Sequence, residues 1–94
     1  MVKHIVMWKF LPGKEKEARE FLDKLAGLYG QIEVLRSVEV AANEAAGNDC
    51  DAVLTATFDN YEDLNAYKND PRHIAVSSLC KSIRAERHAV DYEF

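Results

Sequence analysis

A two-layer α+β domain with the element order β-α-β-β-α-β is the fold class this sequence predicts, and three observations predict it. Four short stretches alternate apolar and polar residues with a period of two, as strands do. Other stretches repeat apolar residues every three to four positions, as helices packed on one side do. Turn and cap residues fall between them: Pro12-Gly13, Asn60 with Asp63, and Asp70-Pro71. The order is that of the ferredoxin-like plait, a four-stranded antiparallel sheet with its helices on one face. The 94 residues make a single domain, residues 1–94.

The first strand covers residues 2–10. Val2, His4, Val6, Trp8 and Phe10 share one face, while Ile5 and Met7 lie on the other between Lys3 and Lys9. A strand apolar on both faces is covered on both. A helix from Glu15 to Leu28 or Tyr29 follows, with Ala18, Phe21, Leu22, Leu25, Leu28 and Tyr29 as its buried stripe. Glu15 with Arg19, and Glu20 with Lys24, make favourable i,i+4 pairs on its wet face, and Gly30 marks its exit. The second strand runs from Val34 to Ala41, with Val34, Val38 and Val40 on one face. The small, polar stretch from Ala42 to Asp51 is a loop. The third strand runs from Ala52 to Phe58, with Leu54, Ala56 and Phe58 opposed to Val53, Thr55 and Thr57. Asn60 and Asp63 form a capping box before a short helix carrying Leu64 and Tyr67. Asp70 then caps, and Pro71 begins, a further helix with Val76, Leu79, Cys80 and Ile83 as its stripe. Arg87 to Tyr92 is the last strand. The face of the sheet away from the helices presents Ile5, Met7, Val53, Val90 and Tyr92. So large an apolar patch on a small domain marks an interface, and a two-fold homodimer stacking two sheets into a closed barrel would cover it. Thin cores favour the same outcome, because a chain of this size buries only roughly 60–65% of its unfolded surface.

Composition excludes several functions. Sixteen acidic against twelve basic residues leave a net charge of −4, which repels phosphate backbones and argues against nucleic-acid binding. The third strand also lacks the basic-aromatic pattern of an RNA-binding plait. No apolar run approaches the roughly 18–20 residues of a membrane span. Lys3 and His4 interrupt any signal-peptide core, so a cytoplasmic location is expected. Cys50 and Cys80 form no CxxC pair, so no zinc site is expected. Cys80 reads as a small buried hydrophobe and Cys50 as part of a polar stretch. There is no Gly-x-Ser-x-Gly elbow and no phosphate loop. Neither a metal nor a cofactor is expected. His88 is out of register with Ala89 and should face away from the helices.

Three residues remain as candidates for chemistry. His4 lies on the helix-facing side of the first strand with Val6 and Trp8. His73 falls on the inward stripe with Val76 and Cys80. Tyr67, on the preceding turn, could converge on the same space. An imidazole titrates near ~6.5 and suits proton transfer at neutral pH. In one reading His73 removes a proton α to a carbonyl, and His4 and Tyr67 hydrogen-bond the developing enolate oxygen. In the other, the three form a satisfied polar network in the core.

Val2-Lys3-His4-Ile5-Val6, the strand end at Phe58, Ala66-Tyr67 through Asp70-Pro71-Arg72-His73, and Val90-Asp91-Tyr92 together resemble the stress-responsive A/B barrel domain family of dimeric α+β barrels. The resemblance spans essentially the whole chain. It implies a homodimer packed sheet to sheet. In a plant polyketide cyclase of that family the acid-base residues match His4, Tyr67 and His73. The likeness implies a pocket between sheet and helices lined by Val6, Trp8, Phe21, Leu22, Leu25, Leu54, Ala56 and Leu79. Two departures stand out. Asp70 replaces a histidine common in the family, and Arg84 and Arg87 stand where the cyclase has bulky apolar side chains. Arginines in the lining favour a small aromatic or keto acid over a long neutral chain. The expected function is a cofactor-free His/Tyr enzyme of the cyclase, isomerase or lyase type. The alternative is a non-catalytic, stress-associated dimer or ligand-binding module in which the same residues are structural. A cofactorless monooxygenase on this architecture matches the first-strand and Pro-x-His pattern less well.

Overall fold

In the computed structural model, which describes residues 1–94, the chain runs β1 (Val2–Phe10), α1 (Glu15–Ala26), β2 (Ser37–Ala42), β3 (Ala52–Phe58), α2 (Tyr61–Asn69), α3 (Pro71–Lys81) and β4 (Arg84–Glu93). The sheet order is β2-β3-β1-β4, and every neighbouring pair is antiparallel. This is the predicted ferredoxin-like plait. β1, the strand with apolar residues on both faces, takes one of the two central places. Val2, His4, Val6 and Trp8 turn toward the helices and are buried, as are Ala52, Leu54, Ala56 and Phe58 of β3 beside them. The helices supply Phe21, Leu25, Leu64 and Tyr67 to the same core. Phe21 meets Trp8 edge to face at 5.3 Å between ring centroids, a favoured aromatic geometry. No helix is long and apolar enough to cross a membrane.

The opposite face of the sheet is bare in the protomer. Met7, Val90 and Tyr92 are 41%, 53% and 40% exposed, and Ile5 and Val53 beside them are half-buried. His88 pairs with Met7 in the ladder and so lies on this open face, as the parity of β4 predicts.

Three boundaries move by two residues or more from those the sequence predicts, and one side chain turns the other way, each for a local reason. α1 ends at Ala26, two or three residues early, and Tyr29 is exposed. The Gly27 N–H closes on Asp23 O at 3.0 Å, and Gly30 (φ +86°) reverses the chain. β2 starts at Ser37 rather than Val34. Residues 27–36 form successive turns, with Ile32 N–H donating to Leu28 O at 3.1 Å and Leu35 N–H to Ile32 O at 3.1 Å. Leu28, Ile32 and Leu35 are buried there. Their three-four spacing is a turn signal, and Ile32 and Leu35 are core residues that strand periodicity overlooks. β4 starts at Arg84, three residues early, because a register shift between Lys9 and Phe10 lets Phe10 pair with Arg84. Leu79 is not part of the α3 stripe and is 41% exposed. His73 and Cys80 are seven residues apart and fall on nearly one line of the helix, whereas Leu79 is turned from Cys80 by about 100°.

Candidate functional site

The break between α2 and α3 places two of the three candidate side chains. Asn60 caps α2, accepting from the Asp63 N–H at 2.8 Å, and α2 stops at Asn69. Asp70 accepts the Arg72 N–H at 2.8 Å and Pro71 occupies the first position of α3. In a continuous helix the Arg72 N–H would close on Lys68 C=O. Here the Asp70 carboxylate takes it, and the freed Lys68 carbonyl accepts from His73 Nδ1 at 3.2 Å. A carbonyl only accepts, so Nδ1 carries the proton and the lone pair of neutral His73 sits on Nε2. The break also folds Tyr67 and His73 together, with ring centroids 4.3 Å apart. The Asp70–Arg72 pair holds the Asp70 carboxyl down at about 2, so this cap stays ionised at any ordinary pH.

His4 comes from the sheet. It is 4% exposed and is the one buried polar or charged residue of the protein. Its Nδ1 bonds the Asp91 carboxylate, which stands directly opposite it on β4. Lys68 Nζ reaches the other Asp91 oxygen at 3.5 Å. The carboxylate fixes the His4 tautomer with its proton on Nδ1, so in the neutral ring Nε2 is an acceptor. Asp91 joins the candidate site through this bond, a partner that the motif search along the sequence does not single out. The available signal was its parity: it alternates with Val90 and Tyr92, which places it on the helix side of β4.

Burial favours the neutral form of both imidazoles. Burial pushes His4 below the ordinary histidine value of 6.5, against the opposing hydrogen bond from Asp91. Burial likewise lowers His73, and the charge of Arg87 adds to the effect on both rings. Burial alone would raise Asp91, but its hydrogen bonds and charge contacts with His4 and Lys68 hold it below 3.8. Burial raises the Tyr67 phenol far above its ordinary value, so it remains a donor.

His4, Tyr67 and His73 border one cavity of about 50 Å³ between sheet and helices. No buried side-chain N or O atom lacks a partner. Neither Nε2 atom nor the Tyr67 hydroxyl is among the protein's hydrogen-bonded groups, so these three atoms open on the cavity. Of the predicted lining, Val6, Trp8, Phe21, Leu25, Leu54, Arg84 and Arg87 border it, joined by Ser77 and Cys80. Three expected residues do not. Leu22 turns to a separate open groove of about 750 Å³ between α1 and the β2 end of the sheet, because it lies one residue, about 100° of helix, away from Phe21. Ala56 is fully buried opposite His4, and its methyl is too short to reach the lumen. Leu79 faces solvent for the reason given above. The larger groove carries no histidine, cysteine or tyrosine. No three histidine, cysteine or acidic side chains come together as a metal site would need, and both cysteines are free.

The two depressed imidazoles predict an acid-sensitive fold. The unfolded chain takes up protons near 6.5, above the folded values, so the stability they contribute is present above about pH 6.5 and is lost as pH falls toward the folded pKa values. The part due to Asp91 is lost lower, as pH falls from 3.8 through its depressed value. Denaturant midpoints should be level from pH 8 to 7 and decline steadily below 6.5. A flat profile down to pH 5 would mean that both rings are hydrated.

Fold and site define a class: a βαββαβ plait that encloses two imidazoles and a phenol between its sheet and helices. The chain belongs to the stress-responsive A/B barrel domain (Dabb) family, whose sequence model matches residues 2–94. A dimeric protein of unknown function with a ferredoxin-like fold from Bacteroides fragilis is 31% identical, with 99% of this chain and 95% of that one covered and a TM-score of 0.86. A dimeric ferredoxin-like protein of unknown function from Thermobifida fusca is 24% identical, covering 99% and 90%, with a TM-score of 0.87. The hydroxynitrile lyase from Passiflora edulis shares the fold at 11% identity, covering 97% and 90%, with a TM-score of 0.85. Among curated proteins, none matches this chain in sequence.

Proposed function

We propose that the chain is a homodimer, packed sheet to sheet, in which each protomer carries a cofactor-free acid-base site for a small oxo compound, an aromatic or keto acid. The reaction type is a cyclase, isomerase or lyase step that begins with loss of a proton next to a carbonyl. One observation carries this reading: His4 Nε2, His73 Nε2 and the Tyr67 hydroxyl have no protein hydrogen-bond partner and border one partly open cavity. The likeness of these residues to the acid-base set of a plant polyketide cyclase supports it.

The hydrogen bonding supports His4, rather than His73, as the base, one of the two assignments that the sequence allows. With its proton on Nδ1, neutral His4 cannot donate from Nε2 to an enolate oxygen. It is better placed as the base. Asp91 behind it stabilises the imidazolium as it forms, as a carboxylate does behind any catalytic imidazole. The C–H electron pair moves into the new C=C bond, and the carbonyl π pair moves to oxygen. That oxygen accepts from the Tyr67 hydroxyl. The lone pair on Nε2 of neutral His73 takes that proton from the His4 imidazolium and returns it to the substrate at another carbon or at oxygen, which leaves both rings neutral and closes the cycle.

Proton exchange in D2O tests the idea directly. NMR would follow loss of the α-proton signals of pyruvate, 2-oxobutanoate and phenylpyruvate with the protein present. Exchange faster than buffer, lost in Tyr67→Phe and in His73→Gln, is the expected result. Binding of these acids with no exchange would favour the second reading, a non-catalytic ligand-binding dimer. The narrowness of the cavity is the observation behind that alternative.

The dimer has its own test. The apolar β1/β4 face of Met7, Val90 and Tyr92 needs a cover, and the Bacteroides fragilis relative is described as dimeric. Met7→Glu would place a charge at the centre of the stacked sheets and should yield monomers or aggregates by light scattering. A stable wild-type monomer at micromolar concentration would overturn the dimer.

A further inference from the structure

Arg84 and Arg87 differ from the two ion-paired arginines of this protein. Arg36 holds Asp59 at 2.8 Å and Arg72 holds Asp70 at 2.8 Å. Arg84 and Arg87 border the cavity, yet neither forms an ion pair with any carboxylate. Arg84 lies against the Cys80 thiol, a weak acceptor that leaves most guanidinium donors unspent. The β4 register sets Arg87 opposite Trp8, four residues along β1 from His4. The cavity therefore has two chemically distinct sides: one of bases and a phenol, the other of two arginines, half-buried and exposed, with no carboxylate partner.

We propose that Arg84 and Arg87 bind a carboxylate, and that the site takes a short-chain oxo acid with its carboxylate at the arginines and its carbonyl at Tyr67. The oxo group's placement rests on the acid-base reading above; the carboxylate's does not. Size decides between the short-chain and the aromatic acids. A dry cavity that admits benzene measures roughly 150 Å³, and this one measures about 50 Å³. A planar carboxylate with two or three further carbons, as in pyruvate or 2-oxobutanoate, suits the smaller space. A carboxylate also matches the planar guanidinium fork, which an amide or an alkyl chain does not. A net charge of −4 supplies no general attraction for anions, so the pull must be local to these two side chains.

Calorimetry with 2-oxobutanoate, its amide and phenylpyruvate, on wild type, Arg84→Met and Arg87→Met, tests the proposal. The acid should bind at least about 10-fold more tightly than the amide, and each variant should lose about 10- to 100-fold for the acid while its affinity for the amide is unchanged. Phenylpyruvate should bind more weakly than 2-oxobutanoate. Unaltered melting temperatures check the variants' folding, and Arg87→Lys, which keeps the charge, should recover part of the loss. Equal affinity for acid and amide, or tighter binding of phenylpyruvate, overturns the proposal. The two readings fail separately. Tight acid binding without α-proton exchange removes the catalytic reading and leaves the carboxylate site. Equal exchange of an oxo acid and a neutral ketone removes the carboxylate site and leaves the catalysis.

Discussion

Asp91→Asn should slow α-proton exchange by about 10²- to 10⁴-fold, the range that a positioned base contributes. The cause is a tautomer. The Asp91 carboxylate accepts from His4 Nδ1, so the lone pair faces the cavity from Nε2. A carboxamide can present its NH2 to Nδ1 instead, which places the ring proton on Nε2 and leaves no base in the lumen. Asparagine matches aspartate in volume, so packing is preserved. Two measurements separate this from general damage. Nitrogen-15 shifts of the His4 ring should report the Nε2–H form, and the carboxylate affinity set by Arg84 and Arg87 should be unaffected. An Asp91→Asn protein with wild-type exchange would show that His4 is not the base.

Phe58→Ala should cost about 3–5 kcal/mol of a total of about 5–14 kcal/mol for a chain of this length. Phe58 is fully buried, and its ring centroid lies 5.1 Å from that of Tyr67. Its removal opens a void between β3 and α2, and α2 makes few other contacts with the sheet. Urea titration reads the loss as a lower midpoint with an unchanged slope. The site should suffer with the core, because Tyr67 would lose the surface that holds its ring. A loss below about 1 kcal/mol would mean that α2 collapses into the vacated space.

The plait was legible because its rules are local. β1 shows its two-sided apolar pattern within nine residues, and Asn60 and Asp70 announce their helices by side-chain chemistry alone. His4, Tyr67 and His73 could be brought to one space by parity and helical stripe. The misreadings came where two local rules compete. Residues 27–36 contain apolar positions that suit either a strand or a run of turns, and only the hydrogen bonds of Ile32 and Leu35 decide. Leu79 is apolar and adjacent to Cys80, but the line of α3 that carries His73 and Cys80 inward leaves Leu79 about 100° round the helix, toward solvent. The partnership of His4 and Asp91 is a matter of register between strands at opposite ends of the chain, which no local pattern encodes. The size of the cavity was equally out of reach, since it depends on how Phe21, Leu25 and Leu54 interdigitate.

The two halves of the site are assembled on different scales. Tyr67 and His73 are six residues apart and are held by a helix break that forms locally. His4 and Asp91 are 87 residues apart. Loop-closure entropy makes that contact slow to form, and on the ribosome β1 must wait for β4 to be made before its histidine finds a partner. Until then His4 is an unpaired imidazole on a strand with one free edge. In the proposed mechanism proton-transfer competence arrives with the last strand, and exchange activity during refolding would serve as a clock for β4 docking, lagging behind the helical signal by the time that step takes.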